Sequence, residues 1–245
     1  MPSAQNVPAF DWSEGALKVR AFLYEFWCAN GRGPTLREVH EAVGYDRGQI
    51  IKAYKELAFG EIVFDLSSQN CYILKVPPFS AMPTQVQVFI DDKFHSFAGC
   101  AMESVALSRM PPFEDKLVRL ESFCACCLEP ITIVMRNGEP QSVSSDDIRV
   151  HVSKPPHQWA IPTVLPMCDS MNYVLGAKHA ERYEKMMGTR GVLFSIDQAR
   201  PFVKGVADNR MWDYHWTPGP LEPDSIAARI GDMGVDTTNW TPDDL

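Results

Sequence analysis

Apolar side chains return at helical spacing from Glu14 to Ala29, with Leu17, Phe22, Leu23, Phe26 and Trp27 on one stripe. Ser13 stands at the N-cap position, and Gly31 and Gly33 end the pattern. Thr35 and Glu38 frame a capping box for a second short helix carrying Leu36, Val39 and Val43, which Gly44 stops. Asp46 opens a third helix with Ile50, Ile51, Tyr54 and Leu57. Two short strand-like runs follow Gly60, Glu61–Leu66 and Cys71–Val76, joined by the polar turn Ser67-Ser68-Gln69-Asn70. Helices followed by a hairpin predict a winged-helix-like head over residues 1–76. The turn Gly44-Tyr45-Asp46-Arg47 has helix-turn-helix dimensions.

The proline-bearing stretch Pro77-Pro78-Phe79-Ser80-Ala81-Met82-Pro83 marks a boundary. Beyond it, over residues 84–204, short apolar runs alternate with helical segments, which predicts an α+β fold. Val86–Ile90 and Lys93–Ala98 flank Asp91-Asp92 as a hairpin, and a helix is expected from Ala101 to Arg109 before Pro111 and Pro112. Val118–Phe123, Ile131–Arg136, Ile148–Val152, Met171–Leu175 and Val192–Ile196 read as strands, with Ala177–Met187 as a helix. Residues 205–245 differ in character. They hold Trp212, Tyr214, Trp216 and Trp240 among prolines and aspartates, and read as an arm lying on the body or on a partner.

Charge narrows the partners. A net charge of −8 argues against an electrostatic grip on nucleic acid or on an anionic membrane. The third helix does carry Arg47, Gln49, Lys52 and Lys55, as a DNA-reading helix would, but Glu41 and Glu56 flank it. No apolar run approaches the roughly 20 residues needed to cross a bilayer, and Met1 to Trp12 lacks a signal-peptide pattern. A cytoplasmic protein is expected, with a homodimer left open.

Seven cysteines, an odd number without a secretion signal, argue against a disulfide framework. Cys28 and Cys71 fall on apolar faces of the head. Cys124-Ala125-Cys126-Cys127 contains C-x-x-C, half of a zinc ligand set, but His151 and His157 lack the spacing of a second half. The expectation is therefore no cofactor and no structural zinc at Cys124 and Cys127. Cys100 lies where a strand meets a helix, and Glu103 follows three residues on along the same helical face. Unpaired amides and the helix dipole would favour a thiolate there. On these residues alone, a nucleophile with an acid/base partner and a buried cysteine beside a solvated glutamate both stand.

A resemblance bears on that choice. Val88-Phe89-Ile90-Asp91-Asp92-Lys93, then Phe97-Ala98-Gly99-Cys100-Ala101-Met102-Glu103, then Glu121-Ser122-Phe123-Cys124 running to Pro130-Ile131, and finally Met167-Cys168-Asp169-Ser170-Met171-Asn172-Tyr173-Val174 occur in the order of the alkylmercury (organomercurial) lyases. The resemblance covers roughly Val86 to Phe202, and the head also has a family counterpart. It implies an alkylmercury-lyase-like mixed domain in which Cys100 and Cys168 are the catalytic sulfurs and hold a soft metal belonging to the substrate. Glu103 would be the acid/base, and Cys124 a non-catalytic cysteine supporting the fold. It further implies protonolysis of a carbon–metal bond in a small-molecule substrate, without an organic cofactor, and cytosolic thiols as product acceptors. Two positions depart from the family: Glu103 stands for aspartate, and Gly99 for tryptophan. Both changes point toward a different or larger substrate. Two other readings remain at this level: a soft-metal sensor with a DNA-binding head, and a non-catalytic interaction protein using the aromatic arm.

Overall fold

The computed structural model describes residues 12–59, 62–159, 165–206, 211, 213–215 and 223–240. Trp212 and Trp216 of the expected arm lie outside them. The head begins with α1 (Glu14–Asn30), α2 (Leu36–Val43) and α3 (Arg47–Leu57). Each starts where a side chain takes over an orphan amide. Ser13 accepts from Ala16, and Thr35–Glu38 and Asp46–Gln49 form capping boxes. Gly31 ends α1 at φ 68°, and a β-carbon there would lie 2.1 Å from the His95 carbonyl oxygen, so only glycine fits. An antiparallel pair follows, β1 (Val63–Asp65) and β2 (Tyr72–Val76). The Arg47 guanidinium at the start of α3 bonds the Gln69 carbonyl in the turn between them.

The chain continues through β3 (Phe79–Ser80), β4 (Gln87–Ile90), β5 (Lys93–Ala98), the short α4 (Ala101–Ser104), β6 (Val118–Phe123), β7 (Pro130–Arg136) and β8 (Glu139–Val143). These strands and the head's pair form one eight-stranded sheet in the order β1-β2-β3-β5-β4-β6-β7-β8. The proline-bearing stretch thus contains a strand of its own, β3, that joins β2 to β5. β9 (Ile148–Val152), α5 (Leu165–Cys168), β10 (Met171–Leu175), α6 (Gly176–Met187), β11 (Val192–Ser195), α7 (Ile196–Val206) and α8 (Pro223–Asp232) complete the chain. The second sheet runs β10-β9-β11, and every pairing in both sheets is antiparallel.

The helix expected over Ala101–Arg109 is broken. It is regular for four residues, to Ser104, and resumes as a single 3₁₀ turn at Leu107–Arg109. All four α4 side chains are buried. Such an element is held by packing on β10 and α7 rather than by its own hydrogen bonds. No described helix is long and apolar enough to cross a membrane.

The described parts of the C-terminal segment lie on the body. Tyr214 stacks on Tyr24, with ring centroids 5.2 Å apart, and its carbonyl accepts from Arg20 at 2.6 Å. Ile226, Ile230, Val235 and Trp240 are buried in the common core. Tyr214 also meets the Cys28 sulfur at 3.6 Å, where burial pushes the Cys28 thiol up from 9.0 to about 11. A thiol held neutral in the fold but free to ionise when unfolded contributes stability fully present below pH 9 and lost as pH rises through about 11. Over that window the stability to urea should fall by about 2–3 kcal/mol from Cys28. The slope should flatten in Cys28→Ala; an equal slope in both proteins would remove Cys28 as its source.

Candidate active site

Cys100 follows β5 directly and is itself the N-cap of α4. Its backbone is extended (φ −161°, ψ 174°), and its sulfur accepts the Glu103 amide at 3.3 Å. Because cap and third helical residue face each other in any first turn, the Glu103 side chain returns toward the same sulfur. Cys168 ends α5, just before β10. The register of β10 on β9, and the packing of β10 on α4, bring this distant residue onto the Cys100 turn. The sulfur of Cys168 donates to Glu103 Oε2 at 3.6 Å. The two sulfurs and a carboxylate oxygen all lie within 4.8 Å of one another, and all three residues are buried. Met171 adds a third sulfur, 3.9 Å from Cys100 Sγ.

The electrostatics differ from the sequence expectation. The Glu103 amide does favour a thiolate at Cys100, but it is outweighed. Burial first, then the hydrogen bond with Cys168 and the nearby Glu103 charge, hold the Cys100 thiol well above its usual 9.0. Four residues of helix supply little dipole. The resting site therefore keeps its proton on Cys100 until an electrophile arrives.

Sequence reading missed Lys75. Its ammonium group, on β2, is buried 3.3 Å from the Gly99 carbonyl and 2.9 Å from Asp169 Oδ1. Burial alone would push its pKa down, yet the net shift is upward, because Cys168, Asp169 and Glu103 all favour the cation. Lys75 thus places a positive charge close to the Cys168 sulfur and the Glu103 carboxyl. One signal was available. Cys71, Ile73 and Lys75 share one phase of a strand, and the first two are buried, so the lysine was bound to follow them inward. Asp169 holds Lys75, while Asn172 donates to Tyr183 Oη at 3.2 Å and to the Asp169 carbonyl.

Gly99 makes room for the Glu103 carboxyl. A β-carbon at this residue would lie 2.2 Å from Glu103 Oε2, so the carboxyl occupies the space a side chain would take. The missing side chain at position 99 and the placement of the Glu103 carboxyl are thus coupled. Below the site, Ser104 Oγ meets Tyr173 Oη at 2.8 Å, and Gln85 clamps the Tyr173 backbone from both sides. These bonds fix α4 against β10.

Cys124 and Cys127 do not join this cluster. They meet His179 elsewhere. Cys28 and Cys71 are buried in the head, as their apolar faces implied.

The family model for alkylmercury lyase (MerB) matches residues 79–207. Ten solved chains match the structure. One is the crystal structure of the mercury-bound form of MerB2, with a TM-score of 0.65 and 20% identity over 84% of this chain and 94% of that one. A search of curated proteins found no match.

Proposed function

Because the chain belongs to the alkylmercury lyase family, we propose that it cleaves a carbon–metal bond by protonolysis, with Cys100 and Cys168 as the capturing sulfurs and Glu103 as the proton donor. The observation that carries this reading is the buried triangle of two thiols and one carboxyl within 4.8 Å. Soft, polarizable sulfur selects soft metals, and a pair of sulfurs at this separation suits the linear or bent coordination such ions accept. A protein of the same fold has been crystallised with mercury bound.

The steps balance on the groups present. For a substrate R–Hg–X, the Cys100 sulfur bonds mercury, X departs, and the Cys100 proton leaves with it as HX. The Cys168 sulfur then bonds mercury, and its proton passes to the Glu103 carboxylate it already faces. Electron donation from two sulfurs weakens the carbon–mercury bond. The Glu103 carboxylic acid gives its proton to the carbon, which keeps the bonding pair and leaves as R–H. The protein retains mercury as a dithiolate with Glu103 again a carboxylate, and two small cytosolic thiols exchange the ion away. A raised Cys100 thiol fits this scheme: metal binding must expel two protons, one of which is consumed at carbon. The Lys75 charge offsets the charge of the sulfurs as they ionise. Glu103 reaching over Gly99, where the family has the shorter acid and a large ring, favours a substrate whose organic group needs that room.

The direct test is incubation of the reduced protein with phenylmercury and with methylmercury in excess small thiol. One hydrocarbon released per mercury converted is the expected result. Mercury retained as intact R–Hg on the cysteines, with no hydrocarbon, would sink the reading and leave a binding protein.

A further inference from the structure

We propose that Cys124, Cys127 and His179 form a second metal site, for a thiophilic d10 cation of the zinc class. The two sulfurs each lie 3.4 Å from His179 Nδ1, and all three donor atoms fall within 4.8 Å of one another. A tetrahedral ion with Zn–S of about 2.3 Å and Zn–N of about 2.05 Å requires sulfur–nitrogen edges of about 3.6 Å. Two edges of such a tetrahedral face are therefore already close to their required length, and the sulfur–sulfur edge is within 4.8 Å.

The scaffold is built for it. Cys124 and Cys127 span the tight turn between β6 and β7, closed by Leu128 N–H to the Cys124 carbonyl at 2.8 Å and by Cys124 N–H to the Glu129 carbonyl at 2.8 Å. Leu128 takes φ 65° to make that turn. Cys124 is fully buried beneath. His179 comes from α6, which cannot drift. Glu184 on the same helix accepts from His151 Nε2 at 2.9 Å and from the Gly191 amide, and Tyr183 meets Asn172. The Ala125 amide bonds the Tyr173 carbonyl at 2.9 Å, tying the cysteine turn to β10, the strand that leads into α6.

Three ligands leave one position. Cys127 is exposed and His179 half-buried, so the fourth faces solvent and takes water or an exchangeable thiol. Cys126 does not lie within 4.8 Å of all three donors. The site is distinct from the Cys100–Glu103–Cys168 triangle and uses none of its residues.

The test uses the full chain, reduced, loaded with one equivalent of zinc, desalted and analysed for metal. About one zinc per chain is expected, and cobalt in its place should give thiolate-to-cobalt charge transfer with tetrahedral d–d bands. Cys127→Ser and His179→Ala should each weaken zinc binding by about 100-fold or more, since each removes one of three donors. Cys100→Ser/Cys168→Ser should keep it. Bound zinc should also slow alkylation of Cys127 in the unaltered protein, a readout independent of whether the variants fold. Zinc held undiminished by Cys127→Ser and His179→Ala, lost from the Cys100/Cys168 variant, or absent from the unaltered chain overturns the proposal.

Discussion

Cys100→Ala and Glu103→Gln should both lose turnover of an organomercurial by on the order of 10³-fold or more, but at different steps. Without the Cys100 sulfur, capture fails, because one thiol gives mercury a single anchor and leaves the carbon–metal bond strong. With glutamine at position 103, two sulfurs still converge, so mercuric ion should be held about as tightly as in the unaltered protein, while hydrocarbon release stops. The amide is nearly isosteric and accepts no proton from Cys168. Measuring mercuric-ion affinity and hydrocarbon formation side by side separates the two. If Glu103→Gln released hydrocarbon at an undiminished rate, the proton would have to come from elsewhere and the assignment of Glu103 would fall. Neither variant should unfold. Each replaces a buried group by one of equal or smaller size, and a midpoint change of about 1–2 kcal/mol bounds the expected cost.

Gly99→Ala should slow the same reaction by about 10²-fold while leaving the fold intact. The backbone of Gly99 is one that any L residue can adopt, so the only conflict is the 2.2 Å contact between the new β-carbon and Glu103 Oε2. That oxygen ends a flexible side chain, and it will give way before the sheet does. A carboxyl displaced by about 1 Å no longer lies in line between Cys168 and the departing carbon. Glu103→Asp withdraws the oxygen by one methylene and should itself be slow, because the acid then falls short of Cys168. Placed together with Gly99→Ala, however, it removes the clash. The double variant should therefore be faster than the product of the two single losses, a coupling that a double-mutant cycle reads directly. Strict additivity would mean that residues 99 and 103 act independently, and the account of why this chain combines them would fail.

Much of the site was legible because it is local. Cys100 and Glu103 are three residues apart at a strand-to-helix junction, and one turn of helix brings cap and acid together whatever the rest of the chain does. The helix starts of the head were legible for the same reason: Ser13, Thr35 and Asp46 each satisfy an amide within three residues. Alternating strands such as β6 and β7 declare themselves because one face is buried. Where that asymmetry is missing, the pattern is silent. β8 is almost wholly exposed and reads as loop, though it completes the large sheet. α7, which carries Pro201, has no counterpart among the helices expected from the sequence, and α8 starts on Pro223 within a stretch whose prolines suggested an arm. The state of the Cys100 thiol was misjudged too, because a helix terminus is a local feature and desolvation is not.

The helix caps of the head and the pairing of the first sulfur with its acid are properties of neighbouring residues, and the sequence by itself determined them. Tertiary structure alone decided which distant groups meet: Cys168 with Cys100, Lys75 with Asp169 and the Gly99 carbonyl, and His179 with Cys124 and Cys127. The physical reason is range. Capping and periodicity act over one turn or one strand, whereas these meetings depend on sheet order and on packing across the core, to which every strand contributes and no short segment holds the answer.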